Sequence, residues 1–290
     1  MSDNNAIDID IDFLKIWIGK ERIRQDDLSP FKAQALAAAL DRQSSLQAGD
    51  VLPPAWQWLY FVDTPLASET GVDGHPKTGG FLPPAPLPRR MWAAGKFEIS
   101  RPLIIGKSAE QTSTIKSVDL KSGKSGTLLF VTVEHNTRQD GELCLSEQQN
   151  IVYRDMPTAA APLPAGEAAA LDADWQKEIT PDPVLLFRYS ALTYNGHRIH
   201  YDRDYAVNTE FYPALVVHGP LLATLLAELV SQNIPQAQME TFQFRAQRPS
   251  FDIDKFTVCG KRDGNSLSLW TRSHDGFIGM TAQVQLRAEK

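Results

Sequence analysis

Cysteine, basic charge and long apolar runs are all scarce in this sequence. Only two cysteines, Cys144 and Cys259, occur in 290 residues, and they lie far apart in β-like runs. This spacing argues against a disulfide scaffold and a cysteine zinc framework. It is typical of buried thiols in a reducing compartment.

Lysine and arginine total 29 against 35 aspartates and glutamates, so the formal net charge is -6. This balance argues against a nucleic-acid binder that depends on a basic face. No apolar run approaches the roughly 18 residues of a membrane span. Residues 1–12 alternate aspartate with isoleucine and lack the basic start of a signal peptide. We therefore expect a cytoplasmic protein that contacts neither nucleic acid nor membrane.

A change of composition divides the chain in two. After Met156, prolines, a glycine and alanines replace patterned sequence, which predicts a linker at residues 156–178. The predicted amino-terminal domain is 1–155, and the carboxy-terminal domain is 179–290.

The two halves repeat the same order of β-like runs. The runs are 109–120, 127–133 and 143–153 in the first half and 256–261, 266–272 and 277–286 in the second. Alternating hydrophobicity and turns such as Asp263-Gly264 predict an antiparallel three-strand meander in each half. A further β-like run precedes each meander, at 96–100 and 241–245, and an Arg-Pro step follows it.

Residues 219–230 carry leucines on most sides of a helical wheel, which predicts a buried helix that starts at Gly219-Pro220. A shorter counterpart is expected at 87–94, and another helix at 31–40. The pattern predicts an α+β fold in which about five antiparallel strands wrap one helix, with two such copies joined edge to edge into one long sheet.

Chemistry-bearing side chains concentrate at residues 195–200, where Asn195, His197, Arg198 and His200 fall within six positions. Gly196 permits a turn, so these groups can point into a cleft. A plain polar surface loop is the alternative. A metal site is the weaker one, since no second cluster completes a coordination shell.

A second stretch, Val217-His218-Gly219, leads directly into the apolar helix. The unpaired N–H groups of a first helical turn suit an oxygen that gains negative charge. The alternative is that His218 is a satisfied core histidine and Gly219 a packing glycine.

Together these stretches resemble the MaoC-like double hot-dog hydratases and dehydratases, whose D-x-N-P-x-H loop precedes a V-H-G step. The loop matches at 195–200 and the step at 217–219. Residues 75–84 and 86–92 look like the amino-terminal hot dog of the mesaconyl-CoA, methylfumaryl-CoA and itaconyl-CoA hydratase branch. The resemblance implies two antiparallel sheets, each wrapping a central helix and joined into one.

The resemblance also implies reversible addition of water to a short, dicarboxylic α,β-unsaturated acyl-CoA, without a metal or redox cofactor. His200 then holds the position of the catalytic acid/base, and Gly219 that of the N–H that meets the thioester oxygen. Asn195 stands where the family has aspartate, and an amide cannot exchange a proton at neutral pH. His200 is therefore expected to carry both proton transfers, with help from another group or loss of activity as alternatives.

Arginines are the expected anion ligands of this site. Arg89 or Arg90 is predicted to hold the distal carboxylate of the acyl group or a CoA phosphate. The alternative is a solvated surface pair. Arg198 and His218 are further predicted substrate-binding residues.

Other functions remain open at the level of sequence. They are a 3-hydroxyacyl-thioester dehydratase for longer chains, a non-catalytic acyl-thioester-binding module and a thioesterase. An acyl-CoA thioester is the expected partner, and a homodimer is among the expected assemblies.

Overall fold

The protein is built around one antiparallel sheet of ten strands. The computed structural model describes residues 9–43, 45–123 and 126–288, so part of the amino-terminal aspartate/isoleucine alternation lies outside the described residues. The strands are β1 (Glu21–Asp26), β2 (Arg89–Ile99), β3 (Ala109–Gly123), β4 (Gly126–Gln139), β5 (Glu142–Arg154), β6 (Trp175–Ile179), β7 (Met239–Ala246), β8 (Phe256–Asp263), β9 (Ser266–Ser273) and β10 (Ile278–Leu286). The helices are α1 (Ile11–Lys15), α2 (Pro30–Ala39), α3 (Pro183–Thr193), α4 (Arg203–Asn208) and α5 (Gly219–Asn233).

The two halves of the chain meet in the middle of this sheet. The strand order is β1-β3-β4-β5-β2-β7-β10-β9-β8-β6. β2 and β7 pair antiparallel, with Ala94 opposite Arg245 and Glu98 opposite Thr241. The predicted α+β class, the repeated meander and the edge-to-edge joining are confirmed.

The carboxy-terminal half wraps α5. Ten consecutive residues of this helix, from Leu221 to Val230, are buried. A helix that is apolar on all sides is stable only when it is enclosed, because every face must leave water. The helix predicted at 219–230 is confirmed, and it begins at Gly219 with Pro220 in its first turn.

The helix expected at 87–94 is wrong, because these residues enter strand β2. Its residue Arg90 pairs with Tyr153 of β5, and Ala94 pairs with both β5 and β7. Pairing with β5, and with β7 from Ala94 onwards, satisfies backbone groups in the sheet, which outweighs the local helical pattern. The longer helix of this half is α2, which matches the prediction at 31–40.

The end of the predicted linker is part of the sheet. β6 pairs with β8, and Trp175 lies opposite Gly260, so residues 175–178 belong to the edge of the carboxy-terminal half. The division into domains is otherwise a prediction.

Cys144 and Cys259 are both buried free thiols. Among the described residues, no helix combines the length and apolarity needed to cross a membrane.

Candidate active site

A large cleft of about 1660 Å³ lies between the two halves of the molecule. Its wall combines the loop after α3, the start of α5, the beginning of β2 and a loop from the first half. The predicted site residues that line it are Arg90, Asn195, His200 and Gly219. The structure therefore brings together groups from three separate stretches of sequence.

Local capping places the loop after α3. Asp182 accepts the Leu185 N–H at 2.8 Å and starts the helix, and Tyr194 ends it in a left-handed conformation. Asn195 Oδ1 then accepts the His197 N–H at 3.0 Å, which fixes the turn. The amide oxygen is therefore bound by the backbone, and among the described residues Nδ2 has no hydrogen-bond partner.

His200 is buried at the wall of the cleft and has a defined tautomer. Its Nδ1 lies 2.7 Å from the Val216 carbonyl oxygen, so Nδ1 carries a proton and Nε2 has the free lone pair. Burial, with a smaller effect of His197, lowers the pKa of His200 to about 3. The neutral ring can accept a proton through Nε2, as the resemblance implies.

His218 lies behind His200 and does not line the cleft. The two rings stack with their centroids 3.7 Å apart, and His218 Nε2 lies 2.8 Å from Ser190 Oγ. The residue is completely buried. The predicted contact of His218 with substrate is therefore corrected, because its ring packs against the face of His200.

Gly219 opens α5 directly onto the cleft. A Cβ at this position would meet only the Trp92 carbonyl oxygen, at 3.7 Å. Packing therefore does not require glycine here. The missing side chain leaves the first-turn N–H accessible to a ligand oxygen.

Arg89 and Arg90 are neighbours in β2, but their side chains lie in different environments. Arg89 Nε lies 2.8 Å from Glu210 Oε2, and its guanidinium covers the Tyr212 ring. Arg89 is absent from the wall of the cleft, so its predicted substrate contact is corrected to a buried ion pair. Arg90 lines the cleft, and its role as an anion ligand is still a prediction.

Arg198 also binds protein groups. It donates to Asp202 Oδ2 through Nε and Nη2 and to the Val72 carbonyl oxygen through Nη1. It does not line the cleft. The structure corrects its predicted role: Arg198 ties the loop from the first half to the loop after α3.

That first-half loop places Asp73 and His75 beside the loop after α3. Neither residue is among the site residues predicted from the sequence. His75 Nδ1 lies 2.9 Å from Asp73 Oδ2, and the His75 ring centroid is 4.0 Å from that of His197. One ligand atom of each residue falls within 4.8 Å of the others. His75 opens the motif that resembles the hydratase branch, which is the signal that could have identified it.

Polar side chains also line the first-half sheet across four strands. Arg22 lies opposite Ser113, Ser113 opposite His135, and His135 opposite Glu147. Arg22 and His135 line the cleft. In the sequence, these polar residues appear as an alternating pattern along β3 and β4. The same pattern is typical of a strand with one solvent-exposed face, so it does not by itself identify a site.

Buried histidines should make the fold sensitive to mild acid. Burial lowers the pKa of His135 to about 4 and of His200 to about 3, while unfolded imidazoles titrate near 6.5. The unfolded chain therefore binds more protons below pH ~6.5, and each group lowers the free energy of unfolding by up to about 1.4 kcal/mol per pH unit. Urea unfolding between pH 7.5 and 5 measures this slope.

The His135→Gln variant should show a smaller pH slope than the natural chain. His274→Gln is the matched control, because His274 is exposed beside Asp254. A free energy of unfolding that is constant from pH 7 to 5 would contradict buried neutral imidazoles.

Comparison with known proteins identifies the family. Residues 55–252 match the model of hydroxyacyl-thioester dehydratase type 2. The chain is 43% identical over 272 residues to mesaconyl-C(4)-CoA hydratase of Chloroflexus aurantiacus, covering 93% of this chain and 96% of the relative. It is 30% identical over 244 residues to the mitochondrial hydroxyacyl-thioester dehydratase type 2 of Schizosaccharomyces pombe, covering 76% and 80%.

A solved structure supports the architecture. A Mycobacterium tuberculosis protein described as a double hot-dog fold superposes with a TM-score of 0.60 at 12% identity, over 93% of this chain and 96% of that protein. The predicted fold is confirmed. The chain belongs to the hydroxyacyl-thioester dehydratase type 2 family, and it is a double hot-dog hydro-lyase.

Proposed function

We propose that this enzyme adds water reversibly to a short, dicarboxylic α,β-unsaturated acyl-CoA of the mesaconyl-CoA type. The thioester oxygen accepts the Gly219 N–H, and His200 Nε2 takes a proton as the water oxygen bonds to Cβ. The double-bond electrons move towards Cα and the thioester oxygen. The protonated His200 then gives that proton to Cα and becomes neutral again, which completes the addition of one water.

The observation that carries this proposal is the pairing of His200 and Gly219 in one cleft. An imidazole with a free Nε2 supplies the base, and an accessible helical N–H supplies the donor for the oxygen. These protein groups provide the chemistry without a metal or redox cofactor. The relative with 43% identity is named a mesaconyl-C(4)-CoA hydratase, which supports the substrate class.

Charge in the cleft favours a dicarboxylic acyl group. Arg90, Arg22 and His135 all line the cleft. A guanidinium binds a carboxylate through paired hydrogen bonds, which an alkyl chain cannot replace. Arg22 is already paired with Asp63. His135 Nδ1 lies 2.7 Å from Ser113 Oγ, so Arg90 is the proposed carboxylate ligand. A guanidinium at this wall favours mesaconyl-, itaconyl- or methylfumaryl-CoA over fatty acyl thioesters.

Replacement of Arg90 by methionine should lower kcat/KM for mesaconyl-CoA by about 10- to 100-fold, since a charged hydrogen-bond partner is lost. The rate with crotonyl-CoA, which has no distal carboxylate, should fall by a clearly smaller factor, because that substrate loses no hydrogen bond to Arg90. The loss of enoyl-thioester absorbance measures both rates, and Arg262→Met, outside the cleft, is the control.

Equal losses on both substrates would contradict the carboxylate contact. A preference of the natural chain for long-chain 2-enoyl thioesters would instead favour the 3-hydroxyacyl-thioester dehydratase. Binding without turnover would favour the binding module, and release of free CoA would favour a thioesterase.

We propose the cytoplasm as the location, since the buried free thiols of Cys144 and Cys259 fit a reducing compartment. The Schizosaccharomyces pombe relative is named as mitochondrial, and fractionation of the native host distinguishes the two. A homodimer is also proposed, through the sheet edges at β1 or β6. Light scattering of the purified chain tests it.

A further inference from the structure

We propose that His75, held by Asp73, is a second catalytic acid/base of the cleft and shares the proton transfers with His200. This inference rests on the proposed hydration. Asn195 stands where the family has an aspartate, and its amide cannot transfer a proton. His75 would supply the second proton-transferring group. The first half of the chain would then contribute to catalysis as well as completing the sheet.

The Asp73 carboxylate fixes His75 in one tautomer. Asp73 Oδ2 lies 2.9 Å from His75 Nδ1, and Asp73 Oδ1 accepts the His75 backbone N–H at 3.0 Å. Nδ1 therefore carries the proton, and Nε2 has no partner among the residues that the structure describes. Since His75 lines the cleft, this arrangement has the same form as that of His200 with the Val216 carbonyl.

His197 lies between the two imidazoles. Its ring centroid is 4.0 Å from that of His75 and 5.4 Å from that of His200. The His75 and His200 rings therefore both neighbour His197 in the same cleft. They can address Cα and the water at Cβ from separate positions.

Close backbone packing holds the first-half loop at the site. A Cβ on Gly74 would lie 1.8 Å from the Gly196 carbonyl oxygen, so no side chain fits between the two loops. The Arg198 N–H donates to the Asp73 carbonyl oxygen at 2.9 Å. Asp73 and His75 are therefore fixed against the loop that carries His200.

The two histidines balance the protons of hydration. One neutral imidazole takes a proton from water as the oxygen bonds to Cβ, and the double-bond electrons move towards Cα. The other imidazole, protonated, gives its proton to Cα and becomes neutral. Exchange with solvent restores both rings, and the net change is the addition of one water.

Charged groups around His75 favour this role over a metal site. Arg90 of β2, His197 of the loop after α3 and Asp73 of its own loop face the ring. Burial first, and then the Arg90 charge, lowers the pKa of His75, while the hydrogen bond that His75 donates to Asp73 raises it. The Arg90 charge opposes a bound cation, and both Asp73 oxygens already accept hydrogen bonds.

The pH dependence of kcat/KM on mesaconyl-CoA tests this role. For the natural chain, kcat/KM should pass through a maximum below pH 7 and fall at both lower and higher pH. Each falling side, or limb, reports the titration of one catalytic group. His75→Gln should lose one limb and lower kcat by about 10²- to 10⁴-fold, with KM changed less than about threefold. Asp73→Asn keeps a hydrogen-bond acceptor but removes the charge, so the same limb should move to lower pH.

Matched controls separate this role from folding. His274→Gln replaces a histidine paired with Asp254 on the surface and should keep both limbs. Thermal unfolding of each variant checks the fold. If His75→Gln does not fold, the shift of the limb in Asp73→Asn still tests the role of His75. The natural chain's turnover tests the proposed function separately from these variants.

Either of two results would overturn the proposal. The first is a His75→Gln variant that keeps both limbs of the profile, whatever its rate. The second is activity of the natural chain that a chelator abolishes and Zn²⁺ restores, which would assign Asp73, His75 and His197 to a metal. An unshifted limb in folded Asp73→Asn would contradict the positioning role of that carboxylate.

Discussion

Replacement of His200 by glutamine should lower kcat/KM for hydration by about 10³-fold. His200 Nε2 is the free ring nitrogen of a buried imidazole whose Nδ1 is bound to the Val216 carbonyl. Glutamine has a similar length but cannot accept a proton at neutral pH. Steady-state absorbance kinetics with mesaconyl-CoA measure the loss.

The loss should fall mainly on kcat, because His200 acts on the reacting atoms and binds little of the CoA. His274→Gln is the matched control for substitution of a histidine, and its rate should equal that of the natural chain. A folded His200→Gln variant within about tenfold of the natural rate would remove His200 from the chemistry.

Replacement of Gly219 by alanine should lower kcat by about 10²-fold. The new methyl group would occupy the open space before the first-turn N–H and keep the thioester oxygen from reaching it. The developing enolate would then lose a donor aligned with the dipole of α5. Stopped-flow or steady-state measurement of kcat, with isotope-labelled substrate as a check on chemistry, quantifies the effect.

The same variant should be as stable as the natural chain or more so. A Cβ here meets only an ordinary contact with Trp92 O at 3.7 Å, and alanine favours a helix by roughly 0.4–1 kcal/mol over glycine. Lower activity with equal or higher stability separates the donor role from packing. A stable Gly219→Ala variant with full kcat would contradict the role of this N–H.

The sequence predicts well those features that local patterns determine. The apolar helix α5 and its Gly219-Pro220 start follow from residues within 15 positions of one another. The loop with Asn195 and His200 carries its own turn signals. The β-rich runs predict their strands for the same reason, since alternation is visible within each run.

Features that depend on distant partners are harder to predict. Residues 89–94 become a strand because they pair with β5, and β7 joins on the other side at Ala94. His75 reaches His197 only because Gly74 packs against Gly196, over 100 residues away in sequence. The V-H-G spacing likewise does not show that His218 lies behind His200 and away from the substrate.

Incubation of the purified chain with mesaconyl-CoA in water labelled with heavy oxygen tests the central claim most directly. Mass spectrometry should show one labelled water added to the acyl group, with CoA still attached, and much less product from His200→Gln. Unchanged thioester, or free CoA with labelled acid, would contradict the assignment of this cleft to hydration.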